Sequence, residues 1–575
     1  MMGPDNNWLQ LMLDLTPAEC GLTRLRHRAD NAFMVNMGAR IIQMQSGFAM
    51  LESAYVQPNG SANIMMKNMM DLFVGAVAYL FCGYWISHGE THMTAFLGGD
   101  LDFSQWFCSF SYATTSATID SGALAGRIAF WAYVVLSTVM TGITYPLAAR
   151  WSWGNGWLQQ LGFVDFAGSA VVHMLGAVSA LVGACFCGPR IGRFPSYRCW
   201  RGLGKWLFRE KNSSEYYQIP KEPSEKNLFR PFVRCRHPVQ LLFGTWLLLV
   251  GFLAFNPAST LAVTEDADLV VGRASVCTLL AAAGGGLGGM LWSMAITRST
   301  VVLVPEVSNA VIAALVASCA CCNAINPVVA MFVGFVGAIL ALACDALLVR
   351  LQIDDPVGAV AAHGPPGVWG TVAVAFFAEP NCQSDVQGLL YGASTAGWQL
   401  LAVQILGVVA LSAMSAGVTY ITLLFIDIIM GVRCSRACEL IGLDFWEHQF
   451  DDGSVAGDNP IKRMSTLRKT FQRASSCCCY CGSAPDAEQD ALGQPASAPH
   501  PAATKPSNLE NLSHAELSMK IQSLEVKLER LMTAMLQDGS TSQDIFGGES
   551  SHSQSFRAAC INAYVDKMTE TPPAM

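Results

Sequence analysis

Charge is what this sequence has least of. Of its 575 residues, 14% are Asp, Glu, Lys or Arg, while 52% are hydrophobic. A soluble chain of this size exposes far more charge, so a soluble globular protein is excluded. Signatures of catalysis are also missing: no glycine loop for a nucleotide and no triad pattern stands out, so an enzyme is not expected. The 20 Cys are scattered, several of them inside apolar blocks where a thiol acts as a small hydrophobe, and they spell no disulfide framework. The first 30 residues, with Arg24, Arg26 and Arg28, lack the apolar region and small-residue cleavage site of a signal peptide. The net charge of -8 is modest and says little about partners; no nucleic-acid partner, metal or other cofactor is expected.

What is present is a series of apolar blocks, each about 20 residues long, the length that crosses a bilayer core of ~30 Å. Eleven candidate spans lie near 32–55, 66–87, 105–124, 127–149, 166–187, 239–257, 273–295, 300–321, 326–350, 357–378 and 399–430. Glycines such as Gly284, Gly285, Gly286, Gly288 and Gly289 favour close helix approach. The connection 188–238 holds twelve Lys and Arg against four Glu, which marks the cytoplasmic side. The connection 88–104 has no Lys or Arg. An odd number of spans then puts the N-terminus outside and the C-terminus in the cytoplasm. Arg24, Arg26 and Arg28 run against that rule.

Two segments match. Asp165, Gly168 and His173 read Asp-x-x-Gly-x4-His at the fifth span, and Asp355, Gly358 and His363 repeat the pattern at the tenth. The copies are an odd number of spans apart, so they cross in opposite senses, the mark of an inverted repeat with a shared site near the midplane. Eight residues of helix rise ~12 Å, so both histidines reach the bilayer centre, where they can meet. The plainer alternative is a histidine bonded to a neighbouring helix in each copy. Ionisable groups within a bilayer usually line an interior path. Two His without a third nearby ligand do not make a metal site.

Several longer stretches are similar to one family. "QSGFAMLESAYVQPNGSANIMMKNMMD" (45–71), "DFAGSAVVHMLGAVSALVGACFCGPRIGRF" (165–194), "FGTWLLLVGFLAFNPAST" (243–260), "DDPVGAVAAHGPPGVWGT" (354–371) and "GLDFWEHQF" (442–450) resemble the ammonium transporter family (Amt/Mep, with the Rh glycoproteins as relatives). The resemblance covers roughly 32–450 and follows the family's order. It implies an all-α polytopic membrane protein with eleven transmembrane helices, a five-plus-five inverted repeat, and a homotrimer with one pore per protomer. It implies ammonium or ammonia as the substrate, with methylammonium as a further one. The roles it carries over are a recruitment site at Tyr112, Trp153, Asp165 and Ser259, a gate of Tyr112 over Phe255, and pore histidines His173 and His363. Asp355 is the repeat partner of Asp165. Three positions depart from the family pattern: Tyr112 replaces the usual Phe, Gly126 stands where Glu is usual, and Arg40 lies inside an otherwise apolar span.

These residue types suit the cation. A ring face attracts it by ~0.5–2 kcal/mol, a hydroxyl accepts from it, and a neutral ammonia avoids most of the cost of a charge in the bilayer. Asp165 also reads as a plain helix N-cap. The basic 188–238 loop has a plain reading too, as a solvated cytoplasmic connection. The expected domains are an extracellular segment 1–31, the membrane domain 32–450, a cytoplasmic basic, Cys-rich and disordered linker 451–512, a short coiled coil 513–536 and a disordered tail 537–575. Lys462, Arg463, Arg468, Lys469 and Arg473 ahead of Cys477, Cys478, Cys479 and Cys481 fit membrane-side acylation or simple reduced thiols. Leu517, Ile521, Leu524, Leu528, Leu531 and Met535 follow the 4-3 spacing of a coiled coil. The plasma membrane is the expected location. A sensor that signals through the tail, with a cytoplasmic regulator bound there, is the alternative from another class, and an Rh-like gas channel is the nearer one.

Overall fold

The structure is a computed structural model that describes residues 17–89, 102–194, 235–380 and 387–448. The linker, coiled-coil and tail expectations, and most of the basic loop, lie outside the described residues. Among the described residues there is no strand, only one bridge between Ile128 and Arg433. Seven helical runs among them are long and apolar enough to cross a membrane, and Val304–Ser318 is a shorter apolar helix. The described part of the chain is thus all-helical, and the chain is a multi-pass membrane protein. The other expected spans fall on helices that are interrupted or polar. The first is broken at Gln43, Phe103–Leu124 is rich in Ser and Thr, and Ala359–Phe377 contains Pro365 and Pro366.

The helices are α1 (Pro17–Ile42), α2 (Met44–Tyr55), α3 (Ser61–Ala78), α4 (Tyr84–His88), α5 (Phe103–Leu124), α6 (Phe130–Val139), α7 (Tyr145–Ser152), α8 (Trp157–Gln160), α9 (Leu175–Cys187), α10 (Pro238–Ala258), α11 (Ala267–Thr297), α12 (Val304–Ser318), α13 (Pro327–Arg350), α14 (Ala359–Phe377), α15 (Thr395–Ile429), α16 (Arg436–Ile441) and α17 (Leu443–His448). Three π-helical stretches interrupt or open spans: Tyr79–Gly83 joins α3 to α4, Met140–Thr144 joins α6 to α7, and Ser169–Met174 leads into α9. Helix starts follow local chemistry. Asp102 caps α5 through Ser104 N and Gln105 N, Asn326 caps α13, and Pro sits in the first turn of α10, α12 and α13.

Exposed apolar side chains cover the outer faces of the spans, among them Phe73 and Val77 on α3, Phe81 in the stretch that follows it, Trp246 and Val250 on α10, and Ile421, Phe425 and Ile428 on α15. That surface suits hydrocarbon rather than water. The core is built where α14 packs on the 169–174 stretch and α9, with α5 and α10 beside it. Small residues set this approach. A Cβ on Gly370 would lie 2.2 Å from Ala317 O, and one on Gly367 would lie 2.5 Å from Ser169 O, so only glycine lets α14 come this close.

The helical run of the first span begins at Pro17, well before the apolar block from 32. Asp30 anchors this extension by accepting from Val263 N (2.8 Å), Thr264 N (3.0 Å) and Thr264 Oγ1 (2.8 Å). Toward the last of the described residues, Asp444 on α17 accepts from Ala62 N (3.0 Å) and Asn63 N (2.7 Å), which places a carboxylate at the positive end of α3. Glu447 accepts from Phe130 N at 3.0 Å. A buried ion cluster lies nearby. Asp354 accepts from Arg190 Nε (2.8 Å) and Nη2 (3.0 Å), and its backbone oxygen accepts from Arg127 Nη2 (2.7 Å). Burial alone would raise the Asp354 carboxyl, but the charges of Arg190 and then Arg127 hold it well below the usual carboxylate range.

Candidate functional site

The mirrored motif folds the same way twice. Asp165 turns both carboxylate oxygens to the chain ahead of it. Oδ1 accepts from Gly168 N and Ser169 N (2.9 Å each), and Oδ2 from Ala170 N (2.8 Å) and Val171 N (3.0 Å). Asp355 does the same with Ala359 N (2.9 Å), Val360 N (2.8 Å) and Ala361 N (3.4 Å). The third residue onward is Gly168 (φ 96°) in one copy and Gly358 (φ 78°) in the other, both in the left-handed region that glycine tolerates. Asp and Gly together therefore fix where each helix begins, and the histidine follows at a set distance.

The two histidines meet. His173 Nδ1 lies 3.2 Å from His363 Nδ1, with ring centroids 5.2 Å apart and planes at 26°. One proton satisfies such a pair, since one ring donates and the other accepts. Both residues are buried, and His173 Nε2 has no hydrogen-bond partner among the described residues. Phe252 stacks on His173 at 5.2 Å, and Phe255 lies 5.3 Å from it on the same helix. The rings keep the pair in an apolar sleeve.

Beyond Phe255 the path opens into a cavity of about 280 Å³, lined in part by Tyr112, Trp153 and Ser259. The Tyr112 ring lies 4.5 Å from Phe255 and 6.5 Å from Trp153. Its hydroxyl donates to Phe255 O at 2.7 Å and lies 3.0 Å from Ser259 Oγ. The hydroxyl thus ties the Tyr112 ring to the helix that carries Phe255. Trp153 Nε1 donates to Asp165 O at 2.7 Å. The Asp165 carboxylate itself faces its own helix start rather than the cavity, and the bond to Trp153 is made by its backbone oxygen. On the other side of the pair, His363 lines a cavity of about 20 Å³, room for one water-sized molecule. Phe48 lies 6.2 Å from His363, and Glu52, one turn on, lines the same small cavity.

Tyr112, Trp153, Ser259, Phe255, His173 and His363 are thus linked by ring contacts and the larger cavity, while Asp165 and Asp355 sit at the starts of the two helices that carry the histidines. Two aromatic neighbours were not foreseen. Phe252 lies one turn before Phe255, so the helical period alone places it on the same face. Phe48 stands inside the 45–71 stretch, where nothing in the sequence tells which of its apolar residues reaches His363. Among the described residues, no group of three His, Cys, Asp or Glu is arranged to hold a metal.

A profile of the Ammonium Transporter Family matches residues 32–199 and 232–452. The chain belongs to the ammonium transporter family. It is 31% identical to a putative ammonium transporter of Synechocystis over 455 residues, covering 74% of this chain and 90% of that one. It is 32% identical to ammonium transporter Amt2 of Archaeoglobus fulgidus, covering 72% and 85%. Among solved structures, a sensor Amt protein superposes with a TM-score of 0.62 at 26% identity, covering 74% of this chain and 99% of that one. Candida albicans Mep2 superposes with a TM-score of 0.59 at 23% identity, covering 75% and 93%, a likeness of fold. Within this ammonium transporter both copies of the mirrored motif lie inside the matched region.

Proposed function

We infer that this chain carries ammonium across a membrane, working as a transporter rather than an enzyme. The observation that carries the reading is the meeting of His173 and His363 inside a member of the ammonium transporter family. The larger cavity is the outer mouth. There the faces of Trp153 and Tyr112 attract the cation by ~0.5–2 kcal/mol each, and Ser259 Oγ accepts from it. Asp165, buried beneath, adds a field that favours positive charge. The cation gives up its proton, and neutral ammonia passes Tyr112 and Phe255 and then the two histidines, which offer it hydrogen bonds in turn. K⁺ has no proton to shed, so it stays outside. Reprotonation in the smaller, inner cavity completes the passage.

The same reading includes eleven crossings, an inverted repeat, and three protomers each with its own pore in the plasma membrane. The N-terminus lies outside and the C-terminus in the cytoplasm. Segment 513–536 associates as a parallel coiled coil beneath the pores, and it is marginal alone because helices this short are weak in water. Crosslinking of single-Cys variants at Leu524 or Leu528 tests it, and the absence of any inter-subunit product from solubilised trimers would remove it. The transport reading is tested by reconstitution. Liposomes holding the protein should take up ammonium or methylammonium faster than empty liposomes, and equal rates with correctly folded protein would sink it.

A further inference from the structure

The larger cavity has a rim that is held from elsewhere in the chain. Ser259 and Leu261 both line that cavity, and both belong to the connection 259–266 between α10 and α11. Ser259 is the residue that ends α10, where a helix frays, so α10 alone does not fix its hydroxyl. The start of the connection is bonded locally. Leu261 N donates to Ala258 O at 2.9 Å, and Thr260 Oγ1 donates to Ala262 O at 2.7 Å. The next two N–H groups turn to α1 instead. Asp30 Oδ1 accepts from Val263 N at 2.8 Å and from Thr264 N at 3.0 Å, and Asp30 Oδ2 accepts from Thr264 Oγ1 at 2.8 Å.

Two independent features set this contact apart from ordinary packing. One is strain. Leu261 (φ 55°) and Glu265 (φ 59°), on either side of the gripped pair, lie in the left-handed region. Residues other than glycine keep that conformation only where their surroundings over-determine it, and such residues gather at binding sites. The other is reach. One carboxylate joins parts of the chain 233 positions apart, and its hydrogen bonds are stronger than neutral ones because the acceptor is charged. The neighbouring pair of Arg26 Nη1 and Glu265 Oε1, 3.0 Å apart, is open to solvent on both sides and adds little. Asp30 is not part of the cavity wall, so it acts on the cavity through the connection alone.

We propose that Asp30 is a positioning residue for cation recruitment. By gripping Val263 and Thr264 it holds the strained Leu261 at the rim. It also keeps Ser259 Oγ, 3.0 Å from the Tyr112 hydroxyl, where it accepts from the cation. The inference rests on the transport reading and adds to it the polar start of α1, whose length before the apolar block brings Asp30 to the connection. Without the grip, Leu261 and Glu265 relax toward ordinary backbone angles, the rim loosens, and the cation binds more weakly. The connection holds neither histidine, so passage beyond the rim is unchanged.

The test is uptake of labelled methylammonium, over a range of concentrations, by cells that express the full-length chain and have no ammonium carrier of their own. Asp30→Ala should raise KM about fivefold, the worth of one hydrogen bond, while the maximal rate at matched surface expression stays at the wild-type level. Asp30→Asn, which keeps an oxygen for the two N–H groups, should restore most of the affinity. Thr264→Val removes one of the three bonds and should raise KM by less, and it serves if Asp30→Ala does not reach the surface. Arg26→Ala should leave KM unchanged. Ser259→Ala should raise KM as well, and adding Asp30→Ala to it should raise KM little further, because both act on one hydroxyl. A wild-type KM in both Asp30→Ala and Thr264→Val overturns the inference and leaves the transport reading standing. A lower maximal rate with KM unchanged overturns it too, because that marks a structural role, and so does a double variant whose two effects multiply. A wild-type chain that reaches the surface and takes up no more than cells without it removes the transport reading itself, and the inference with it.

Discussion

The Asp165 and Asp355 segments share a sequence pattern and a local structure, yet their surroundings differ. Each aspartate gathers backbone N–H groups, each is followed by a glycine at positive φ, and each places a histidine in the pair. Around Asp165 stand Trp153 and a cavity of about 280 Å³, and its histidine sits in a π stretch. Around Asp355 the helix is regular, the cavity is about 20 Å³, and the next residue back, Asp354, is locked into an arginine cluster. The motif decides where the helix starts and where the histidine points. The neighbours differ, and on the proposed function they decide which copy receives a cation.

That contrast is open to breakage. The largest effect expected is at the carboxylates. Asp165→Ala should abolish uptake in liposomes, while Asp355→Ala, at matched protein content, should keep part of it. Equal losses would erase the distinction between the copies. Next come the histidines. His173→Ala and His363→Ala should each change the rate by about tenfold or more, or lose the preference for ammonium over K⁺, with the fold intact. Wild-type rate and selectivity in both would remove the pair from the pathway.

Smaller effects sharpen the comparison. Gly168→Ala and Gly358→Ala each force an L-residue to positive φ, at ~1–2 kcal/mol. The new Cβ would meet Val172 Cγ2 at 2.5 Å in one case and Asn309 Nδ2 at 2.5 Å in the other. Both should melt earlier in detergent by scanning fluorimetry, and only Gly168→Ala should also depress cation recruitment, read as a higher KM. The smallest effect is on pH. The folded Asp354 carboxyl is held below its ordinary value, so its contribution is present above the unfolded pKa of ~3.9 and is lost as pH falls through the folded value. Melting temperature should show no dependence on this group between pH 6 and 8. Asp354→Asn should lower it at neutral pH and flatten its fall in acid.

Much of this was legible in the chain because it depends on spacing. Asp, Gly and His at fixed intervals encode a cap, a turn and a buried imidazole, and the repeat doubles the signal. Tyr112, Phe255, Trp153 and Ser259 came from the longer motifs that surround them. Contacts between helices were not legible. Phe48 reaching His363, Arg127 and Arg190 converging on Asp354, and Tyr133 on Asp71 each join residues from different elements. The π stretches were missed because no residue type demands them, and the early start of α1 was missed because polar residues hide a helix from any reading by apolarity.

The central claim is that ammonium crosses by way of the His173–His363 pair. It is tested most directly by ammonium uptake into liposomes with excess K⁺ outside, comparing the wild-type chain, the His173→Ala, His363→Ala double variant and empty liposomes. The account predicts saturable, K⁺-insensitive uptake in the wild type and, in the folded double variant, either a loss of about tenfold or more or inhibition by K⁺. Wild-type uptake no faster than empty liposomes, or a double variant with unchanged rate and unchanged indifference to K⁺, would contradict it.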